Sequence, residues 1–196
     1  MKTLYVISHT EATHHLEGVV GGWYDSVLTE KGLEDARAIG SKLLAEGAVG
    51  DIHTSDLKRA AQTAEVIAGI TGGQLNITSD LREKSFGVAE GKPQAWLDER
   101  IVPEDGLNRL DHRIIEGSET TREFASRIYG YMDSISLGDT TVISTHAFAA
   151  TFVIAWWIGM SLESIGYVNF NIKSGKISKL VEDDFFKNRN VAYLNH

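Results

Sequence analysis

Short β-branched or apolar runs alternate along this chain with longer amphipathic stretches, and each run leads into polar residues. That alternation constrains the fold more than any other feature. Strands separated by helices can pair in parallel, because the helix supplies the crossover that parallel pairing needs. Leu4–Ser8 leads into His9, and Thr141–Thr145 into His146. Between them, Asp51–Thr54 runs into Ser55–Arg59, and Leu75–Thr78 into Leu81-Arg82-Glu83. The expected fold is α/β, a three-layer α/β/α sandwich with a mostly parallel central sheet. Ligands of such open sheets bind beyond the carboxyl ends of the strands. His9, Arg59, Glu83 and His146 are therefore expected around one pocket.

The helices carry their own signals. Thr29 caps a helix reaching about Ala45, with Gly47 as its stop and Leu33, Ala36, Ile39, Gly40, Leu43 and Leu44 as its apolar stripe. Ser55 or Asp56 caps the next, which ends near Gly72-Gly73. A third runs from about Thr120 to Ser136, and a fourth begins just after His146. Tyr167–Lys173 and Lys176–Val181 flank Ser174-Gly175, a spacing that predicts a β-hairpin at a sheet edge. Such an edge offers a surface for a homodimer. Residues 92–117 are charged, turn-rich and weakly periodic, and predict a substrate-covering insertion over the carboxyl edge of the sheet.

Composition bounds the function. A chain of 196 residues with ordinary hydrophobic content suits one domain, 1–196. The net charge of −8 argues against general nucleic-acid binding, which needs a basic face. A few cations in a cleft still suffice for a small phosphorylated metabolite. Cysteine is absent, which rules out disulfides and thiolate–metal sites and fits a reducing, cytoplasmic location. The start Met1–Ile7 is too short in its apolar part for a signal peptide. Thr140–Leu162 carries no formal charge, but its alternating Thr/Val/Ile/Ser start predicts a buried strand and helix, not a membrane span.

The four strand-end residues suit phosphoryl chemistry. A neutral imidazole at His9 can attack phosphorus and hold it as phosphohistidine. Arg59 can neutralise phosphoryl oxygens in concert with the helix N-terminus it sits on, and Glu83 can protonate the leaving oxygen. Each has a plainer reading: Lys58-Arg59 as a solvated pair, Glu83 as a salt bridge to Arg82 or Lys84, His146 as a satisfied core residue. Their common position at strand ends tips the balance. His14-His15 lacks the H-E-x-x-H spacing of a metal hydrolase, which stays the weaker alternative; no metal and no cofactor are expected. Gly18–Trp23 lacks the Gly-Lys-Ser/Thr ending of a nucleotide loop and predicts a rim of the pocket, with Trp23 and Tyr24 either over the substrate or simply packed.

The chain resembles the histidine phosphatase superfamily, which includes the cofactor-dependent phosphoglycerate mutases. Ser8-His9-Thr10-Glu11 stands where that family has Arg-His-Gly-Glu. Asp25–Gly32 matches its D-S-x-L-T-x-x-G segment, Ser55–Ala64 its second-arginine segment, and Leu81–Gly87 with Glu90-Gly91 its proton-donor segment. Gly117-Ser118-Glu119 loosely matches its G-E-S loop, and Ser144-Thr145-His146-Ala147 its second histidine motif. The resemblance implies a phosphoglycerate mutase-like fold, a phosphohistidine on His9, phosphate contacts from Arg59 and His146, and Glu83 as proton donor. It implies further contacts from Ser8, Thr10, His15, Ser55 and Ala147.

The departures concern the first motif. The family's first arginine is Ser8 here, its glycine is Thr10, and a later asparagine aligns with His15. Losing a preorganised donor commonly costs ~3 kcal/mol, or ~100-fold in rate. The pocket is then rebuilt with charge from His14, His15 or Lys84, or it works as a specialised phosphatase using protonated histidine. Otherwise it has become a relative that binds phosphate without turnover. Retention of His9, Arg59, Glu83 and His146 favours catalysis. A phosphatase is favoured over a mutase, because the region with Lys92, Arg100, Arg109 and Arg113 is short and holds as many acids as bases.

Overall fold

The structure, a computed structural model, describes residues 1–104, 106 and 108–196. In chain order its elements are β1 (Lys2–Ser8), α1 (Thr13–Glu17), α2 (Glu30–Ala45), β2 (Asp51–Ser55), α3 (Lys58–Thr71) and β3 (Leu75–Thr78). There follow α4 (Gln94–Asp98), α5 (Thr121–Ser134), β4 (Thr140–Thr145), α6 (Ala147–Trp157), β5 (Ile177–Glu182) and β6 (Arg189–Tyr193). Among the described residues the strands form one sheet in the order β3-β2-β4-β1-β5-β6. β3, β2, β4 and β1 are mutually parallel, β5 runs antiparallel to β1, and β6 turns back along β5.

Side-chain alternation along the central strands makes the three layers. Leu4 and Val6 of β1 face one way, with Ile143 of β4, into a cluster with Phe124 and Ile128 of α5 and Val153 and Trp157 of α6. Tyr5, Ile7 and Val142 face the other way, against Ile39 and Leu43 of α2 and Ala64 and Ile67 of α3. Strands buried on both faces read as continuous apolar runs, which is why the sheet core was visible in sequence.

The last rungs of the β1–β4 ladder position the site. Ser8 pairs with Thr145, and the His9 N–H continues the ladder to the Thr145 carbonyl at 2.8 Å. The two strands therefore end level, and the residues after them, His9 and His146, emerge side by side. Gly32 holds the following loop in place. A Cβ there would lie 2.1 Å from the Glu11 carbonyl oxygen, so only glycine lets α2 pack on the residues that follow His9.

Two expectations are corrected, and the reading of Thr140–Leu162 as strand plus helix is met. Residues 167–173 do not form a hairpin with 176–181; β5 pairs with β1, and its hairpin partner is β6. The Ser174-Gly175 turn instead docks on the end of β1, with Gly175 N–H donating to the Ser8 and His9 carbonyls and Ser174 Oγ–H to the His9 carbonyl at 2.7 Å. Gly175 sits at φ +66°, where a side chain would be strained. The cap of α3 is Leu57, without a side-chain bond; Ser55 Oγ accepts from Leu57 N–H and Asp56 pairs with Arg82. The Thr140–Leu162 run is β4 plus α6, and among the described residues no helix is long and apolar enough to cross a membrane.

Candidate active site

A cavity of about 190 Å³ opens at the carboxyl end of the sheet, lined by Ser8, His9, His14, His15, Arg59, Glu83, Ala147 and Ser174 with Gly21, Gly22, Phe86 and Phe148. His9 is buried and its Nδ1–H donates to the Thr10 carbonyl at 2.8 Å. That bond fixes the tautomer, so Nε2 carries the lone pair. Burial, and then the Arg59 charge, hold its pKa well below the usual histidine value. The imidazole is neutral at pH 7.

Arg59 is 1% exposed. Its Nε donates to His9 Nε2 at 3.2 Å, its Nη1 to the Tyr24 carbonyl at 2.7 Å and its Nη2 to the Gly22 carbonyl at 2.6 Å. Three bonds from a fork of five N–H groups leave two for an incoming oxygen. Burial lowers the guanidinium to about 10, against the pull of Glu83, Asp25 and Glu90, so it stays charged. The α3 N-terminus does not share its anion with Arg59 as expected. Asp25 meets it, accepting from Lys58 N–H at 2.8 Å, and Lys58 Nζ pairs with the same carboxylate at 3.1 Å.

Glu83 follows β3 and turns onto the start of α6. Its Oε1 accepts from Lys84 and Ala149 N–H and its Oε2 from Phe148 N–H, at 3.0, 3.2 and 3.2 Å. Burial raises its pKa from the ordinary 4.5, while those donors and Arg59 pull it partly back. The surface salt bridge to Arg82 or Lys84 is not formed: Arg82 pairs with Asp56. His146 is fully buried, its ring centroid 5.1 Å from that of His9 in an edge-on arrangement. Neither of its ring nitrogens has a partner among the described residues. A buried polar group with no partner calls for a ligand atom or water. Burial, then Arg59, keeps this ring neutral too.

Three ring nitrogens of His9, His14 and His15 come within 4.8 Å of one another. The short helix α1 places His14 and His15 on this side, which a strand could not have done. Their hydrogen bonds suit a cation poorly. His9 Nε2 already accepts from Arg59, and His15 Nδ1 accepts from Ala12 N–H at 3.2 Å. The neutral His15 ring therefore carries its proton on Nε2. His14 Nδ1 bonds Ser26 Oγ at 2.7 Å.

The chain matches the model of the histidine phosphatase superfamily (branch 1) over residues 4–188. It belongs to that superfamily. It is 27% identical over 176 residues to a Hydrogenobacter thermophilus protein provisionally assigned as phosphoserine phosphatase 2, covering 87% of this chain and 86% of the relative. It is 29% identical to a Salmonella paratyphi A protein, GpmB, provisionally assigned as a phosphoglycerate mutase, covering 82% and 76%. Its fold is that of the alpha-ribazole phosphatase from Shigella flexneri, with a TM-score of 0.81 at 24% identity over 99% of this chain and 96% of that one.

Within this superfamily framework the chain rebuilds its first motif without charge. Ser8 and Ala147 line the cavity as expected, whereas Thr10 and Ser55 lie behind it. Thr10 binds Thr63 through its N–H and hydroxyl. Burial lowers the His14 pKa to about 3, and partial burial with the Arg59 charge lowers that of His15, which disfavours protonated histidine as the substitute for the missing arginine. Lys84 does not substitute either, for it lines a neighbouring cavity and not this one. Trp23 is packing, its Nε1–H on the Glu83 carbonyl at 2.8 Å and its ring under Arg82. Sequence reasoning missed Ser174, and no local signal marked it, because its turn reads like any hairpin.

Proposed function

We propose that this protein is a metal-independent phosphatase that hydrolyses a small phosphomonoester through a phosphohistidine on His9. The observation that carries this reading is the locked His9 ring, a neutral imidazole whose lone pair, on Nε2, is held at the cavity wall by a long bond from the buried Arg59 cation, a donor that an incoming phosphoryl oxygen can draw away. In the first step Nε2 attacks phosphorus, the N–P bond forms and the ester P–O bond breaks. Glu83, whose pKa burial raises, gives its proton to the departing alkoxide. In the second step the Glu83 carboxylate takes a proton from water, whose oxygen attacks phosphorus and releases inorganic phosphate and neutral His9.

Arg59 and two neutral donors serve the phosphoryl oxygens. Arg59 offers its two uncommitted N–H groups, His15 its Nε2–H, and His146 a ring N–H that otherwise has no acceptor. Together they supply preorganised stabilisation of the charge that develops in the transition state. Of residues 92–117, of which 105 and 107 lie outside the described residues, Glu104, Arg109, His112 and Ile114 line the neighbouring cavity and shape the leaving-group side, and the substrate is a small phosphorylated metabolite.

The test is phosphate release from an aryl phosphate with chelator present, wild type beside His9→Ala. Chelator-resistant turnover that His9→Ala abolishes is the expected result, together with an acid-labile, base-stable phosphohistidine trapped on the wild type alone. Equal release by both proteins, or activity lost to chelator, overturns the mechanism.

A further inference from the structure

A second cavity, of about 280 Å³, adjoins the first across Phe86 and Phe148, which line both. Its walls include Phe124, Phe152, Ile114, Ile165 and Tyr167. Phe148 is 46% exposed and Tyr167 is 77% exposed, with Arg109 over one face of the Tyr167 ring. Its volume is near the lower end of small-molecule pockets, about 300 Å³, which suits one ring and a short arm.

The charges facing this cavity are unevenly matched. Arg109 pairs with Glu104, bonds the Gly166 carbonyl and stacks over Tyr167. His112 Nε2 bonds the Val102 carbonyl at 2.8 Å. Lys84 makes no side-chain hydrogen bond or ion pair among the described residues; Glu83, the next residue, stands in the catalytic cavity. An in-line displacement at His9 sends the leaving oxygen away from Nε2, and the cavity adjoining across Phe86 and Phe148 is space its substituent can take.

We infer that the ester hydrolysed is one whose alcohol carries a single apolar ring with an anionic group beyond it. The ring occupies this cavity and the anion meets Lys84. This rests on the phosphatase reading above and adds a substrate class to it. Small polar esters of the glycerate or serine type would leave the aromatic walls wet.

The test compares ethyl phosphate, 2-phenylethyl phosphate and its 4-carboxy derivative, whose leaving alcohols are of similar acidity. The phenyl ring is expected to raise kcat/KM on the order of 10- to 100-fold over ethyl phosphate. The carboxylate adds about tenfold. Tyr167→Ala, a change at an exposed position, lowers the first ratio, and Lys84→Met removes the second gain alone. Equal constants for ethyl and phenylethyl esters, with turnover measurable, overturn the inference and leave the phosphatase standing. Lys84→Met lowering all three equally overturns the Lys84 assignment. No turnover of any ester, and no phosphohistidine trapped on His9, overturns the phosphatase reading and this inference with it.

Discussion

Arg59 Nε donates to His9 Nε2 across 3.2 Å, so a permanent cation faces the lone pair of an imidazole that stays unprotonated. The same guanidinium closes the Gly22 and Tyr24 carbonyls. Arg59 thus links the nucleophile to the pocket rim. Arg59→Gln is predicted to lower kcat on the order of 100- to 1,000-fold and to destabilise the fold by about 1–3 kcal/mol, as the two carbonyls lose their donors. Because Arg59 depresses the His9 pKa, the substitution also raises it. Denaturant unfolding and an NMR titration of His9 read the two effects; an unmoved His9 pKa refutes the coupling.

Glu83 sets the alkaline limb of the pH–rate profile. Its pKa is raised by burial above the ordinary 4.5, and it acts as an acid only while protonated, so activity falls as pH rises through that folded value. His9 protonates well below 6.5, which sets the acid limb. An acid-side optimum therefore reports Glu83 and not a protonated histidine. Glu83→Gln is predicted to remove the alkaline limb and to slow alkyl esters about 10²- to 10⁴-fold. It slows p-nitrophenyl phosphate less, since that leaving group departs without a proton. An equal loss on both ester types contradicts the assignment.

The layers and the strand-end residues were legible because they are local. Leu4–Ile7 and Val142–Ile143 are apolar on both faces, and the Thr29 cap needs only Gly32, three residues on. What stayed hidden is contact over distance. Asp25 meets the start of α3 from 33 residues away, and Glu83 meets the start of α6 from 65 and 66. Residues 167–173 alternate like a strand because Val168, Phe170 and Ile172 face the core. The place beside β1 is filled by β5, and Asn171 at φ +52° breaks the extended course. Alternation recorded one-sided burial there, not pairing.

Buried neutral histidines make the fold acid-sensitive. His9, His14, His53 and His146 are each less than a tenth exposed, and burial depresses each pKa below 6.5. Below 6.5 the unfolded chain binds protons that the folded one refuses, so stability falls as pH drops. For His14 the fall continues to about 3. Each group contributes up to about 1.4 kcal/mol per pH unit. Glu83 acts oppositely, since its contribution is full below 4.5 and is lost as pH rises through its raised folded value, but it is one group against four. The guanidinium midpoint should fall clearly from pH 7.5 to pH 5.5. A constant midpoint shows that these rings are solvated.

His15 is expected to act on phosphate through a proton it cannot lose to its own cap. The Ala12 N–H occupies Nδ1, so the neutral ring presents Nε2–H to the cavity that it lines with Ser8. A neutral donor at this point supplies a hydrogen bond without the charge that arginine would bring. His15→Phe keeps the ring's bulk and removes both bonds at an exposed position, so the fold should survive. Loss of one donor to an anion corresponds to about 1.5–3 kcal/mol, which weakens inhibition by inorganic phosphate roughly 10- to 100-fold. The effect should be flat between pH 6.5 and 8, because no protonation is involved. An inhibition constant that changes tenfold across that range in wild type, and not in His15→Phe, would instead assign His15 a titrating, cationic role.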